Sequence, residues 1–164
     1  SKSPSDAQGY PQLGWAKNGN HMDGEMVGFH TPSGSDYRAK NGGSTISNAF
    51  DGVPAANDII GFYLDLDNST LIVHQNGSDF MGSGASSGID FSSTSFDPDT
   101  GFFQVRYNSN TNVSHFIEFN FGQPSYSISS AVSDANGHGS FEYNPTLSGT
   151  NYLALCTKNL GATG

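Results

Sequence analysis

From Ile59 to Asp67 the chain reads Ile-Ile-Gly-Phe-Tyr-Leu-Asp-Leu-Asp. Ile60, Phe62, Leu64 and Leu66 fall on one side of an extended backbone. Gly61, Tyr63, Asp65 and Asp67 fall on the other. This period of two is that of a half-buried strand, and it does not fit the helical repeat. Asp67-Asn68-Ser69 supplies turn residues, and Leu71–His74 gives a second strand. Asn76-Gly77 stops that strand with a dipeptide that readily takes positive φ. A β-hairpin is predicted, and its two faces require a second layer to cover the apolar one.

Further strands are predicted at Phe102–Tyr107, with Phe103, Val105 and Tyr107 aligned, and at Val113–Phe121 after a turn at Asn108–Asn112. In the latter, Ile117, Phe119 and Phe121 are expected to face inward. Gly122-Gln123-Pro124 ends it, and a last strand is predicted at Tyr152–Cys156. Between these lie polar stretches at about 20–57, 78–100 and 124–150, read as long loops. No repeat of 20 to 50 residues is visible.

Composition agrees with a strand-only reading. Ser, Gly, Asn and Thr make up 70 of 164 residues, while Glu occurs three times and Lys four. A chain so poor in surface helix formers holds at most a short helical turn. Twelve Phe and seven Tyr supply enough buried area to argue against disorder. The length suits one domain. Short strands separated by turns predict an all-β fold, an antiparallel β-sandwich with long Gly/Ser/Asn loops.

The net charge is −9, with six Lys and Arg scattered along the chain. Phosphate neutralisation needs a basic stripe, so neither nucleic acid nor an anionic membrane surface is an expected partner. No apolar run approaches a spanning helix. A single cysteine, Cys156, excludes an internal disulfide and a multi-thiolate zinc site. The Asn-x-Ser/Thr triplets at Asn68, Asn76 and Asn112 match the number expected by chance from so much Asn, Ser and Thr, and carry no information on secretion.

Three separated motifs resemble the SPRY family. Asp58-Ile59-Ile60-Gly61, then Leu64-Asp65-Leu66-Asp67-Asn68, then Asn76-Gly77 is similar to the family's central hairpin. Phe119-Asn120-Phe121-Gly122-Gln123 is similar to its late F-N-F-G-Q strand. Tyr152–Leu160 is similar to a closing segment associated with SPRY-like domains of bacteriophage structural proteins. The resemblance covers residues 13–160, with 1–12 as a leading segment, the remnant of a missing first strand, and 161–164 as a tail. The family's aromatic opening strand has no counterpart in residues 1–11, so the chain reads as a piece of a longer protein. His74-Gln75 stands where the family has Tyr-Lys, which removes a positive charge.

No catalytic constellation emerges from the residues. Asp65 and Asp67 lie on one strand face, but Asp at a hairpin more commonly satisfies turn backbone groups. Asp97-Pro98-Asp99-Thr100-Gly101 resembles half of a calcium loop. Asp97 and Asp99 are the nearest approach to metal ligands, yet the third acidic position and the distal Glu are missing, and a plain turn accounts for them. His21, His30, His74, His115 and His138 show no ligand spacing, and no G-x-S-x-G elbow exists. Glu25, Glu118 and Glu142 are isolated in sequence, which argues against the paired carboxylates of a glycosidase. No catalytic residue, cofactor or metal is therefore assigned.

The remaining candidates are loop residues suited to recognition: Tyr37, Arg38, Phe80, Phe96 and Tyr126. Aromatic rings give large contact area at low entropy cost, and short polar neighbours give adaptable hydrogen bonds. The resemblance implies a non-enzymatic binding or structural module of a phage structural protein, on a tail fibre or capsid. It would sit in the virion after assembly in the host cytoplasm. Its expected partners are a host-surface glycan or protein, or neighbouring virion subunits, with homo-oligomerisation through the parent protein left open. Two alternatives stand beside it: a cytosolic SPRY module that recruits a peptide, and a self-assembling element that uses an open sheet edge.

Overall fold

The computed structural model describes residues 9–17, 26–33, 36–41, 44–52, 54–55, 57–92, 101–109, 117–147, 149–156 and 158–159. The chain divides into two compact units, Ser1–His115 and Phe116–Gly164. Among the described residues the regular structure is entirely β.

In the first unit, β1 (Gly9–Lys17), β2 (Met26–Ser33), β3 (Asp36–Asn41), β4 (Ser44–Ile46) and β9 (Gly101–Ser109) form one antiparallel sheet in the order β4-β3-β2-β1-β9. β5 (Ile60–Asp65), β6 (Thr70–Gln75) and β7 (Ser78–Asp79) form the second, and β8 (Ile89–Asp90) pairs with β6. The two sheets share one core. Leu13 and Val27 from the first sheet meet Leu71, Val73 and Ile89 from the second, together with Phe50, Phe80 and Phe91. Trp15, Phe62 and Phe103 pack edge to face, with centroids 5.1–6.1 Å apart. Because Phe62 stands on β5 while Trp15 and Phe103 stand on β1 and β9, this triad joins the sheets.

The predicted hairpin forms, with a shorter first strand and an earlier turn than the alternation implied. Asp65 pairs with Thr70 and Ile60 with Gln75. The Asp65 carboxylate accepts the Asn68 N–H at 3.0 Å and the Asn68 side-chain amide at 2.8 Å, which closes the turn. Leu66 lies in that turn and is 51% exposed, so the inward face ends at Leu64. Tyr63, read as outward, is buried, and its ring lies 4.8 Å from that of His74 across the strand pair. Asn76 and Gly77, with φ of 51° and 77°, link β6 to β7 as a two-residue hairpin turn.

Several sequence expectations are corrected. Gly9–Gln12, assigned to a leading segment, belong to β1, which lies between β2 and β9. The stretch read as loop at about 20–57 contains β2, β3 and β4. The stretch after residue 78 also contributes core. Phe80 N–H donates to the Val73 carbonyl at 3.1 Å, and Asp51 N–H to the Phe80 carbonyl at 2.9 Å, which seats the Phe80 ring inside. Gly82 and Gly84 then run against the 47–50 backbone, donating to Ala49 and Asn48 at 2.8 Å. A side chain at Gly84 would collide with the Ser47 carbonyl.

In the second unit, β10 (Thr146–Leu147) and β11 (Thr150–Asn151) form a small hairpin, and Val132 bridges Phe141. The strands predicted at Val113–Phe121 and Tyr152–Cys156 do not form within the described residues, and Ile117, Phe119, Phe121, Leu153 and Leu155 are exposed. Residues 113–116 lie outside the description. Polar side chains take up backbone groups within the 152–156 segment and just beyond residue 121. The Asn120 Oδ1 accepts the Gly122 N–H at 2.8 Å, and the Asn120 amide donates to the Ser140 carbonyl at 2.7 Å. The Ala154 N–H donates to the Asp134 carboxylate at 2.9 Å, and the Asn159 amide to the Ala154 carbonyl at 3.0 Å. Those groups are thereby withdrawn from any ladder.

Candidate functional site

Of the five recognition candidates, Tyr126 alone is a described, exposed side chain (38%). Phe80 is 2% exposed and stacks on Phe50 at 5.7 Å with 17° between the rings, so it is core rather than contact surface. Tyr37 and Arg38 stand in β3, where Arg38 pairs with His30. They are strand positions, not loop positions, and their side chains lie outside the described residues. Phe96 lies outside them too, as do Asp97 and Asp99.

The surroundings of Tyr126 are built by the second unit. Asn120, Gly122 and Ser140 hold the 118–126 segment against 138–143: Ser140 N–H donates to the Gly122 carbonyl at 3.0 Å, alongside the Asn120 bonds given above. Ser125 donates its hydroxyl to Glu118 Oε1. Burial, then the charge of Glu142, then that of Glu118, push the Tyr126 phenol above its ordinary range. Glu118 and Glu142, isolated in sequence, thus act on the same ring. Phe119 and Phe121 stack 6.1 Å apart at 7° on the same segment, and Tyr143 is exposed beside Glu142. The phenol stays protonated at neutral pH, under the negative charge of Glu142 and Glu118.

Asp134 organises this unit from within. Burial alone would raise its carboxyl. Hydrogen bonds from the N–H groups of Ala154, His138 and Asn136, and from the Asn159 amide, outweigh that and hold it at about 2. The carboxylate ties the 134–138 turn to the 154–159 segment. No hydrophobic pattern in the sequence marks it.

A second polar node closes the base of the β5–β6 hairpin. Asp58 accepts the Asn76 side-chain amide at 2.7 Å, the Gln75 amide and the Ala55 N–H. Gln75 is therefore part of this lock. The Asn76 bond foremost holds the Asp58 carboxyl below its ordinary value.

Among the described residues no group of three or more His, Cys, Asp or Glu side chains is placed to hold a metal ion. No helix among them is long and apolar enough to cross a membrane. No family model, curated protein or solved structure matches the chain.

Proposed function

We propose that this chain is a non-catalytic recognition module of a larger virion structural protein, contacting a host-surface glycan or protein, or a neighbouring subunit. The observation that carries the recognition part is Tyr126, an exposed ring in a polar loop with carboxylates of Glu118 and Glu142 acting on it. An exposed protonated phenol near two carboxylates, on a unit with further exposed aromatic side chains, suits a ligand that presents both hydroxyl groups and C–H faces. The virion setting rests on the resemblance of residues 58–77, 119–123 and 152–160 to SPRY-like phage proteins.

The test compares wild type with Tyr126→Ala on an immobilised glycan array, with the solution mass measured by light scattering. Binding to at least one glycan that the variant loses, at unchanged Tm, supports the glycan arm. A defined multimer that Tyr126→Ala disperses supports the subunit arm. A monomer that binds no glycan, or a variant that behaves as wild type in both assays, overturns the assignment of Tyr126.

A further inference from the structure

Asn76-Gly77 combines a hairpin turn with the most reactive backbone pair in polypeptide chemistry. In Asn-Gly, the glycine N can attack the asparagine Cγ without hindrance from a following side chain. A C–N bond forms, the Cγ–Nδ2 bond breaks and ammonia leaves. Water then opens the resulting five-membered imide at either carbonyl, giving aspartate or isoaspartate. No redox step is involved, and water is the sole co-reactant.

Here the Asn76 carboxamide is directed away from this reaction. Its Nδ2 donates to Asp58 Oδ1 at 2.7 Å, and its Oδ1 accepts the Ile59 N–H at 2.9 Å. Its own N–H donates to the Ile59 carbonyl at 2.9 Å. The side chain therefore reaches across to the start of β5. Both side-chain bonds must break before Cγ can meet the Gly77 nitrogen. Asn76 and Gly77 are exposed, so water reaches the pair. At Asn136-Gly137 the nucleophile is occupied as well: the Gly137 N–H donates to the Asp134 carbonyl at 2.9 Å, while the Asn136 Nδ2 donates to Asn159 Oδ1 at 2.9 Å.

We propose that Asn76 is a deamidation site restrained by Asp58, and that its conversion releases the base of the β5–β6 hairpin. The second half follows from charge. Conversion replaces the amide donor facing Asp58 with a carboxylate, so a 2.7 Å hydrogen bond becomes a like-charge contact. The isoaspartate product also adds a methylene to the main chain of a two-residue turn. Asp58 is thus both the restraint on the reaction and the group its product repels.

The experiment incubates the intact protein in mildly alkaline buffer and follows aspartate and isoaspartate at position 76 by peptide mass spectrometry. The same chain unfolded in urea gives the unrestrained rate. One charge-assisted and one neutral hydrogen bond predict a native rate at least about tenfold below the unfolded one. Asp58→Ala, verified as folded by its Tm, should recover most of that factor. A native rate equal to the unfolded rate overturns the restraint, and this comparison does not depend on the variant folding. An unchanged rate in folded Asp58→Ala reassigns the restraint away from Asp58 and overturns its role. For the release, Asn76→Asp should lose hydrogen-exchange protection at Ile59 and Ala55 at neutral pH and regain part of it in acid. Protection equal to wild type at neutral pH overturns the release.

Discussion

Replacing Phe80 by alanine tests whether residues 78–92 are core or display loop. The ring is 2% exposed and stacks on Phe50 at 5.7 Å. Removing it forfeits about 2–3 kcal/mol of transfer free energy. The ring pair contributes about 1 kcal/mol beyond burial. A further contribution of about 1 kcal/mol comes from the cavity, because hydrogen bonds on both sides of Phe80, to Val73 and Asp51, keep the backbone from closing in. The sum is about 4–5 kcal/mol, which lowers Tm by roughly 8–20 °C in a chain of this size. Trp15 is the sole tryptophan and packs against Phe62 and Phe103, so its fluorescence during urea unfolding reports the sandwich core. A loss below about 1 kcal/mol in that assay would refute the core assignment of Phe80. Tyr126→Ala is the matched control, expected to stay within about 0.5 kcal/mol of wild type.

Gly84→Ala should destabilise by about 1–3 kcal/mol in the same urea assay, since the new methyl meets the Ser47 carbonyl and backbone must move; Ser83→Ala, at an exposed neighbour, should be silent. Glu142→Gln should lower the Tyr126 phenol toward its ordinary value, read by NMR titration of labelled tyrosine; an unmoved titration would place Glu142 away from the ring. The Asp134 carboxyl is depressed from 3.8 to about 2, so the stability it contributes is fully present above the unfolded value and is lost as pH falls through about 2. Hydrogen exchange at the Ala154 amide, which donates to it, should stay protected down to about pH 3 and open below; loss of protection already near pH 4 would contradict the assignment.

What could be read ahead of the structure was local. The β5–β6 hairpin follows from alternation over Ile60–Leu66 and from turn chemistry at Asp67–Ser69 and Asn76-Gly77, all carried by neighbours in sequence, although the turn begins earlier, at Asp65, and takes in Leu66. β2 was hidden because Met-Val-Gly-Phe-His-Thr-Pro-Ser carries little alternation, and its pairing with β1 is decided by close backbone approach at Gly14 and Gly28. Phe80 and Phe91 stood alone among Ser, Gly and Asp. A lone aromatic in a polar stretch serves equally as contact residue or as plug, and only the 47–50 backbone packed against Gly82 and Gly84 decides between them.

The second unit failed for the opposite reason. Ile117, Phe119 and Phe121 alternate as well as any strand, yet alternation describes what a segment could bury, not whether its backbone finds a ladder. Asn120 and Asp134 answer that question first. Asp134 takes the Ala154 N–H inside the five-residue 152–156 segment, and Asn120 takes the Gly122 N–H just past the end of the other, each at little entropic cost. The same mechanism assembles the candidate site. With its segment bent at Asn120 and Gly122 and fastened to Ser140, Glu118 comes to act on the same ring as Glu142. The polar residues found where the predicted strand is missing are also those beside the candidate site around Tyr126, and Asn120→Ala separates the two accounts. If Asn120 is the organiser, the variant loses the influence of Glu118 on the Tyr126 titration while the Trp15-reported core keeps its urea midpoint. A Tyr126 titration unchanged from wild type would mean that the segment holds its course by other contacts.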